Sequence, residues 1–178
     1  MSNTLAPLLV KWLTHDLATP IATVMTASEL LGDTPDAEIN GLVSDGAKRL
    51  GARLRLIRAA LAPGNAPVGG AAFRKLIGEG VEGTPLDWAI PADAGDLPAP
   101  LIAGAAMLMA DVRRGQALTI APDSVRWANE AVFSDAVAAA LGGAPASDSR
   151  SAIAEMLVAT AARFGVTLAI TADGLAWR

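Results

Sequence analysis

The sequence has few of the residues on which most enzyme chemistry depends. Its 178 residues include no cysteine and a single histidine. The absence of thiols excludes disulfides, thiolate metal sites and cysteine nucleophiles, and it favours a reducing compartment. One imidazole cannot form a histidine metal cluster. The sequence therefore predicts neither a metal site nor thiol chemistry.

Charged residues and long apolar runs are also scarce. Charged residues make up 18% of the chain against 52% hydrophobic residues, and the net charge is -4. This composition predicts a packed globular chain, and its acidic balance argues against nucleic-acid binding through phosphate contacts. The longest mostly apolar run, 97–110, is shorter than the ~20 residues that span a bilayer, and no signal-peptide pattern is present. We expect a cytoplasmic protein that binds neither nucleic acid nor membrane.

The first third of the chain is predicted to form two long amphipathic helices. Apolar residues recur at helical spacing from Leu5 to Leu31, and a second series runs from Ile39 to Leu61 at nearly heptad spacing. A Gly-Asp-Thr-Pro turn separates them, with Thr34 as the predicted N-cap of the second helix. A single helical hairpin leaves part of each apolar stripe exposed to water, so we expect two hairpins to pair as a four-helix bundle in a homodimer.

The rest of the chain mixes shorter helices and strands. The Pro/Gly-rich segment at 63–70 predicts a boundary between a hairpin domain, residues 1–64, and a second domain, residues 70–178. Helices beside a small, mostly antiparallel sheet predict an α+β protein whose second domain is a small α/β sandwich. The predicted helices are 72–77, 98–114, 130–141 and 149–164, and the predicted strands are 85–90, 117–121, 125–128, 166–171 and 175–177.

A run of basic residues without an intervening acid lies on the second predicted helix. A solvated outer face explains such a run, and a docking strip for an acidic partner is the alternative. The pattern leaves both explanations open. The run consists of Lys48, Arg49, Arg53, Arg55 and Arg58.

The single histidine, His15, is the residue best suited to chemistry. At about 100° per residue it projects away from the apolar stripe, so we expect it to be exposed. An exposed imidazole is largely neutral at pH 7 and has a nucleophilic ring nitrogen. Asp16 could hold the other ring N–H or accept a proton, and Pro20 is expected to kink the helix. Such a His–Asp pair suits a phosphoryl carrier, because phosphoryl transfer needs little covalent machinery.

The segment His15-Asp16-Leu17-Ala18-Thr19-Pro20-Ile21 resembles the H-box of bacterial histidine kinases, whose helical hairpins pair as a four-helix bundle. With the segment 113–120, RRGQALTI, most of the chain resembles the ChpT-type histidine phosphotransferases. The resemblance implies a homodimer in which His15 relays a phosphoryl group from the receiver domain of a hybrid histidine kinase to a response regulator. It also implies that the second domain is a degenerate form of the Bergerat-type ATPase domain.

The residues around His15 receive roles in this hypothesis. Asp16 would orient the imidazole and accept its proton. Thr19 matches an acid-x-x-Thr pattern that implies either packing beside the partner helix or positioning of water for dephosphorylation. A receiver domain, with Mg²⁺ expected on the receiver itself, would dock on the same side of the helix. The residues expected on that docking face are Leu8, Lys11, Trp12, Ala22, Thr26, Arg53 and Arg58.

ATP binding is predicted to be lost from the second domain, so no cofactor is expected. The Bergerat fold needs an asparagine in the helix that corresponds to 97–114 and a later Asp-x-Gly-x-Gly turn, and the sequence has neither. The segment Gly78–Gly83 matches G-x-G-x-x-G, but it follows a helix-like stretch and places two carboxylates where a pyrophosphate would lie. The alternatives are a kinase remnant that still binds ATP and a non-catalytic dimeric adaptor for a response regulator.

Overall fold

A computed structural model describes residues 4–31, 36–62, 70–94 and 96–178. Within these ranges the chain is an α+β protein with six helices and one five-stranded sheet. Thr34 and most of the predicted boundary at 63–70 lie outside the described residues. The division into two domains at that boundary stays a prediction.

Two 25-residue helices, α1 (Leu5–Glu29) and α2 (Ala37–Leu61), pack against each other. They approach closely at Gly46, where an added Cβ would lie 2.8 Å from the Val24 side chain. The N-cap of α2 is Asp36, whose carboxylate accepts hydrogen bonds from the N–H groups of Glu38 and Ile39. The cap predicted at Thr34 is therefore wrong by two residues, because the carboxylate of Asp36 accepts from the first turn of the helix.

The buried face of α1 is rotated relative to the apolar stripe that the spacing predicts. Trp12 is buried on this helix, whereas Ile21 and Leu31, both expected within the stripe, are exposed. The physical reason is that α1 packs on helix α6 (Ser149–Arg163) as well as on α2. The side of α1 that carries Trp12 and Asp16 faces the protein, where both residues contact Arg53 of α2.

The remaining elements lie close to their predicted positions. One boundary differs clearly: the helix predicted from residue 130 begins at Asp135, because the Ser134 side chain caps it by accepting from the Val137 N–H. The elements are α3 (Gly70–Gly80), β1 (Leu86–Trp88), α4 (Ala99–Val112), β2 (Leu118–Ala121), β3 (Ser124–Trp127), α5 (Asp135–Leu141), α6, β4 (Leu168–Ile170) and β5 (Gly174–Trp177).

The sheet is mixed, with strand order β1-β2-β3-β5-β4. The β1–β2 pairing is parallel, and the other three pairings are antiparallel. Helix α4 packs against β2 and β3 on one side and against α2 and α6 elsewhere. It is buried continuously from Pro100 to Ala110, so it forms the centre of the molecule.

One hydrophobic core connects the hairpin with the rest of the chain. Leu56 and Ile57 of α2 belong to the same buried cluster as Phe73, Ile77 and the buried residues of α4. The approach of α3 is close, since a Cβ at Gly80 would lie 2.5 Å from the Cβ of Leu56. The hairpin is therefore packed firmly on the residues that follow it. Across the described ranges, no helix is both long enough and apolar enough to cross a membrane.

Candidate functional site

A cavity of about 510 Å³ lies beside His15. Its walls come from α1, α2, the end of α3 with the turn that follows, and the C-terminal end of α4. His15, Thr19 and Thr23 line it from α1 at intervals of four residues, which places them along one face of the helix. The cavity is thus shared between the hairpin and the rest of the chain.

The imidazole of His15 is exposed at this cavity. Within the described ranges, no hydrogen bond or ion pair engages its ring. Helix α1 continues through Pro20, which has no N–H to donate to the carbonyl of Asp16. A partner that enters the cavity can therefore reach the ring nitrogens of His15 without breaking a contact within the chain.

The carboxylate of Asp16 is bound by Arg53 and not by His15. Arg53 donates from Nε to Oδ2 of Asp16 at 2.7 Å and from Nη2 to Oδ1 at 2.9 Å. Consecutive residues on a helix do not face each other, so Asp16 is poorly placed to hold the imidazole. Within the described ranges both carboxylate oxygens of Asp16 accept from Arg53 and neither contacts the imidazole, so the role of Asp16 in orienting His15 stays a prediction.

Arg53 also reaches the rest of the chain. Its Nη2 donates to both carboxylate oxygens of Asp111 on α4 at 2.9 Å, and its Nη1 donates to the carbonyl of Gly80 at 3.2 Å. The guanidinium lies 5.8 Å from the ring centroid of Trp12, within cation–π range. We call the group of Arg53, Asp16 and Asp111 the Arg53 bridge. It joins α1, α2 and α4 at one wall of the cavity.

Burial and charge act in opposite directions within the Arg53 bridge. Burial raises the pKa of the Asp111 carboxyl, although the neighbouring charge of Arg53 opposes that rise. Burial alone would lower the pKa of Arg53, but the hydrogen bond to Asp16 and the charges of both carboxylates raise it above its ordinary value. The guanidinium is therefore held in its charged form between two acids.

The structure divides the predicted docking face into exposed and packed residues. Trp12, at 7% exposure, belongs to the core, and Leu8 is half-buried against a cluster that includes Ala146 and Ala152. The side chain of Arg53 is only 14% exposed. Placing Trp12 and Arg53 on a free surface is wrong, because the packing of α1 and of α2 on α3 and α4 buries them, and Leu8 is only partly available. The residues that remain exposed are Lys11, Ala22, Thr26 and Arg58.

Most of the basic run on α2 is paired within the chain. Lys48 lies 3.0 Å from Asp45, Arg49 lies 2.7 Å from Glu82, and Arg55 lies 3.2 Å from Glu79. Arg53 is held in its bridge. The run therefore does not form the strip of unpaired cations that an acidic partner would require, and a paired outer face explains it better.

Asp111 and Arg114 are among the cavity residues that are missing from the sequence-based assignment of the site. Asp111 is a single acid at the end of an otherwise apolar helix. Because a carboxylate is seldom buried without a partner, its position in an apolar run is a signal that could have identified it. Nothing in the local sequence indicates that Arg114 lines the same cavity as His15.

The chain has the same fold as a solved structure described as that of a bacterial phosphotransferase. The two match with a TM-score of 0.72 at 18% sequence identity, over 99% of this chain and 96% of that chain. No protein-family model and no curated protein sequence matches the chain. The likeness extends over the hairpin and everything that follows it, so it includes every element that contributes to the cavity.

Proposed function

We propose that this chain is a cytoplasmic histidine phosphotransferase of the ChpT type. It relays a phosphoryl group from the receiver domain of a hybrid histidine kinase to a response regulator through a phosphohistidine at His15. The observation that carries the proposal is the exposed imidazole of the chain's single histidine on the wall of a cavity. The phosphotransferase fold supports it.

The transfer step needs only the lone pair of one ring nitrogen. That nitrogen attacks the phosphorus of the receiver's aspartyl phosphate, a nitrogen–phosphorus bond forms, and the bond from phosphorus to the aspartyl oxygen breaks. The electron pair of the broken bond stays on the aspartate, and the other ring nitrogen keeps its proton. Transfer to a second receiver reverses the step. No carboxylate has to remove a proton from His15, which agrees with the engagement of Asp16 by Arg53.

The other residues around His15 bind and position in this proposal. Asp16 anchors α1 through Arg53, and Thr19, exposed one turn after His15, would either pack beside the partner helix or position water at the phosphoryl group of a docked receiver. The Mg²⁺ of the receiver neutralises part of the phosphoryl charge. Lys11, Ala22, Thr26 and Arg58 stay on the proposed docking face.

The proposal includes a homodimer formed by the hairpins and a second domain that binds no ATP. The dimer is supported by the large apolar side chains exposed on α1 and α2, among them Met25. The loss of ATP binding is supported by α4, the helix that corresponds to the nucleotide-binding helix of Bergerat domains. Every residue from Pro100 to Ala110 is buried, and none has a side chain that could bind a phosphate or a metal ion.

Phosphotransfer from a receiver domain tests the proposed function. The purified chain is mixed with receiver domains that carry radiolabelled aspartyl phosphate, and the acquired label is followed by gel electrophoresis. We expect a label on His15 that is acid-labile and base-stable, no label on His15→Ala, and full labelling of Ser28→Ala, a control on an exposed position of the same helix. Labelled ATP with Mg²⁺ alone should give no label.

Three results would contradict the proposal, each in a different way. Label that persists in His15→Ala would place the phosphoacceptor elsewhere. Label from ATP alone would indicate a kinase. Receiver binding of the same strength in the wild type and in His15→Ala, with no label in either, would indicate an adaptor without phosphotransfer.

A further inference from the structure

Three arginines line the cavity, and two of them already hold the acids beside them. Arg53 donates through Nε, Nη1 and Nη2 to Asp16, Asp111 and the Gly80 carbonyl. Arg49 forms a 2.7 Å ion pair with Glu82. Neither guanidinium can turn toward a new anion without leaving a carboxylate unpaired, and for Arg53 that carboxylate is mostly buried.

The other two acids that line the cavity are also paired, although their partners lie outside it. Glu79 lies 3.2 Å from Arg55 and 3.7 Å from Lys75, and Asp45 lies 3.0 Å from Lys48. Each of the five carboxylates on the cavity wall therefore has a cation of this chain beside it. The acidic composition of the wall does not leave it with unbalanced negative charge.

Arg114 is the arginine of this wall that remains available. It follows α4, is exposed, and lines the cavity together with His15. Among the described residues, no hydrogen bond or ion pair engages its guanidinium. The positive charge of Arg114 acts on the carboxyl group of Asp111, three residues earlier, and opposes the rise in the pKa of Asp111 that burial causes.

We propose, on the basis of the proposed function, that Arg114 binds the phosphoryl group while that group is transferred to and from His15. A phosphoryl group in transfer spreads negative charge over three oxygens, and a positioned cation stabilises it. Arginine suits this role because its planar N–H groups can donate to two phosphoryl oxygens at once. The cavity combines one free imidazole with one free guanidinium, an arrangement that suits this chemistry.

The proposal makes the site composite. The hairpin supplies the nucleophile, and the chain beyond it supplies the cation. The Arg53 bridge connects the two parts of the site, since it ties Asp16, next to His15, to Asp111, three residues before Arg114. The second domain, without ATP, would thus keep a direct part in the reaction.

Two phosphodonors separate phosphoryl binding from receiver docking. Initial rates of His15 labelling are measured with a phosphorylated receiver domain and with phosphoramidate, a small donor that needs no docking surface. We expect Arg114→Ala to lower both rates by at least about tenfold, as loss of a transition-state donor does. Arg114→Lys, which keeps the positive charge but lacks the planar pair of N–H donors, should recover part of the rate. Arg126→Ala, an exposed arginine on β3 away from the cavity, is the matched control and should leave both rates unchanged.

The outcomes distinguish this inference from the proposed function on which it rests. A wild-type chain that neither donor labels at His15 would overturn both. Wild-type labelling with equal rates for Arg114→Ala and Arg126→Ala would overturn the inference and leave the proposed function standing. Slower transfer from the receiver with unchanged labelling by phosphoramidate would make Arg114 a docking residue, which also overturns the inference.

Discussion

Arg53 is the charged residue at the cavity whose removal should cost the fold the most. Its substitution by alanine leaves the carboxylates of Asp16 and Asp111 mostly buried and without a cation. We expect Arg53→Ala to lower the free energy of unfolding by about 3 kcal/mol, the lower end of what the loss of one partner of a buried pair costs. Urea denaturation followed by circular dichroism measures it.

The control for Arg53 is Arg58→Ala, which removes an exposed arginine from the same helix and should change stability by less than about 0.5 kcal/mol. Adding Asp111→Asn to Arg53→Ala should restore part of the lost stability, because it removes one of the two carboxylates that are left without a cation. If Arg53→Ala costs less than about 1 kcal/mol, the bridge behaves as a surface ion pair and this expectation is wrong.

The partners of Arg53 also show which contacts of a single residue cannot be predicted from the sequence around it. Exposure of His15 follows from helical spacing, because it depends on one helix and its apolar stripe. The environment of Arg53 does not follow from its neighbours, since Asp16 and Asp111 lie 37 and 58 residues away in sequence. A run of basic residues on α2 predicts an exposed face, and only the tertiary packing of α1 and α4 turns one of them inward.

At the scale of elements, helix α6 begins at an N-cap, Asp148, whose carboxyl group can be protonated in acid. The Asp148 carboxylate accepts from the Ser151 N–H at 2.7 Å, and the Ser151 hydroxyl accepts from the Asp148 N–H at 2.9 Å. The backbone hydrogen bond from Ser151 lowers the pKa of Asp148 below its ordinary value of 3.8. The unfolded chain therefore takes up this proton first as the pH falls, so the cap's contribution is present above 3.8 and lost as the pH falls through the folded-state pKa.

We expect Asp148→Ala to lower the free energy of unfolding by about 1 kcal/mol at neutral pH. The difference from the wild type should shrink as the pH falls below 3.8, because the unfolded wild-type chain then takes up a proton at Asp148 that the folded chain takes up only at a lower pH. Asp148→Asn, which keeps an acceptor that does not titrate, should retain most of the stability at neutral pH. Urea denaturation across this pH range measures all three proteins, and an equally large deficit of Asp148→Ala in acid would contradict an ionised cap.

The helices and strands themselves were largely predictable, and their ends were less so. Helical spacing identifies α2, a continuous apolar run that stops at Gly115 identifies α4, and two short segments joined at Pro122-Asp123 identify β2 and β3, because these patterns are properties of each segment alone. The start of α5 was predicted five residues early, since the choice of Ser134 as its cap is one among several possible polar residues. The face of α1 was misplaced because its contact with α6 involves residues more than a hundred positions away.

At the scale of the molecule, the cavity is the feature that local patterns could not predict. Its wall joins α1 and α2 to the turn after α3 and to the end of α4, and no sequence spacing relates these segments. The likeness of residues 15–21 to a phosphoacceptor segment does lead to the proposed nucleophile, His15. The residues that surround His15 depend on how the hairpin packs on the core that extends through Leu56, Ile77 and α4.

The exposed apolar residues of the hairpin lead to the prediction for the whole assembly. Val10, Ile21 and Met25 follow one another at spacings of eleven and four on α1, which places them along one face, and Leu54 is exposed on α2. A face of this kind is costly in water and is typical of an association surface. It lies roughly 120° around α1 from His15, so dimerisation through it leaves the cavity accessible.

We expect the full chain to sediment as a dimer and the double variant Ile21→Glu with Met25→Glu to sediment as a monomer, because paired hairpins would bury these charges without partners. Val132→Glu is the matched control, since Val132 is 52% exposed but precedes α5, far from the hairpin in sequence, and should leave the dimer intact. Analytical ultracentrifugation over a range of protein concentrations measures all three. A wild-type chain that stays monomeric throughout, or a double variant that still dimerises, would show that this face is not the dimer interface.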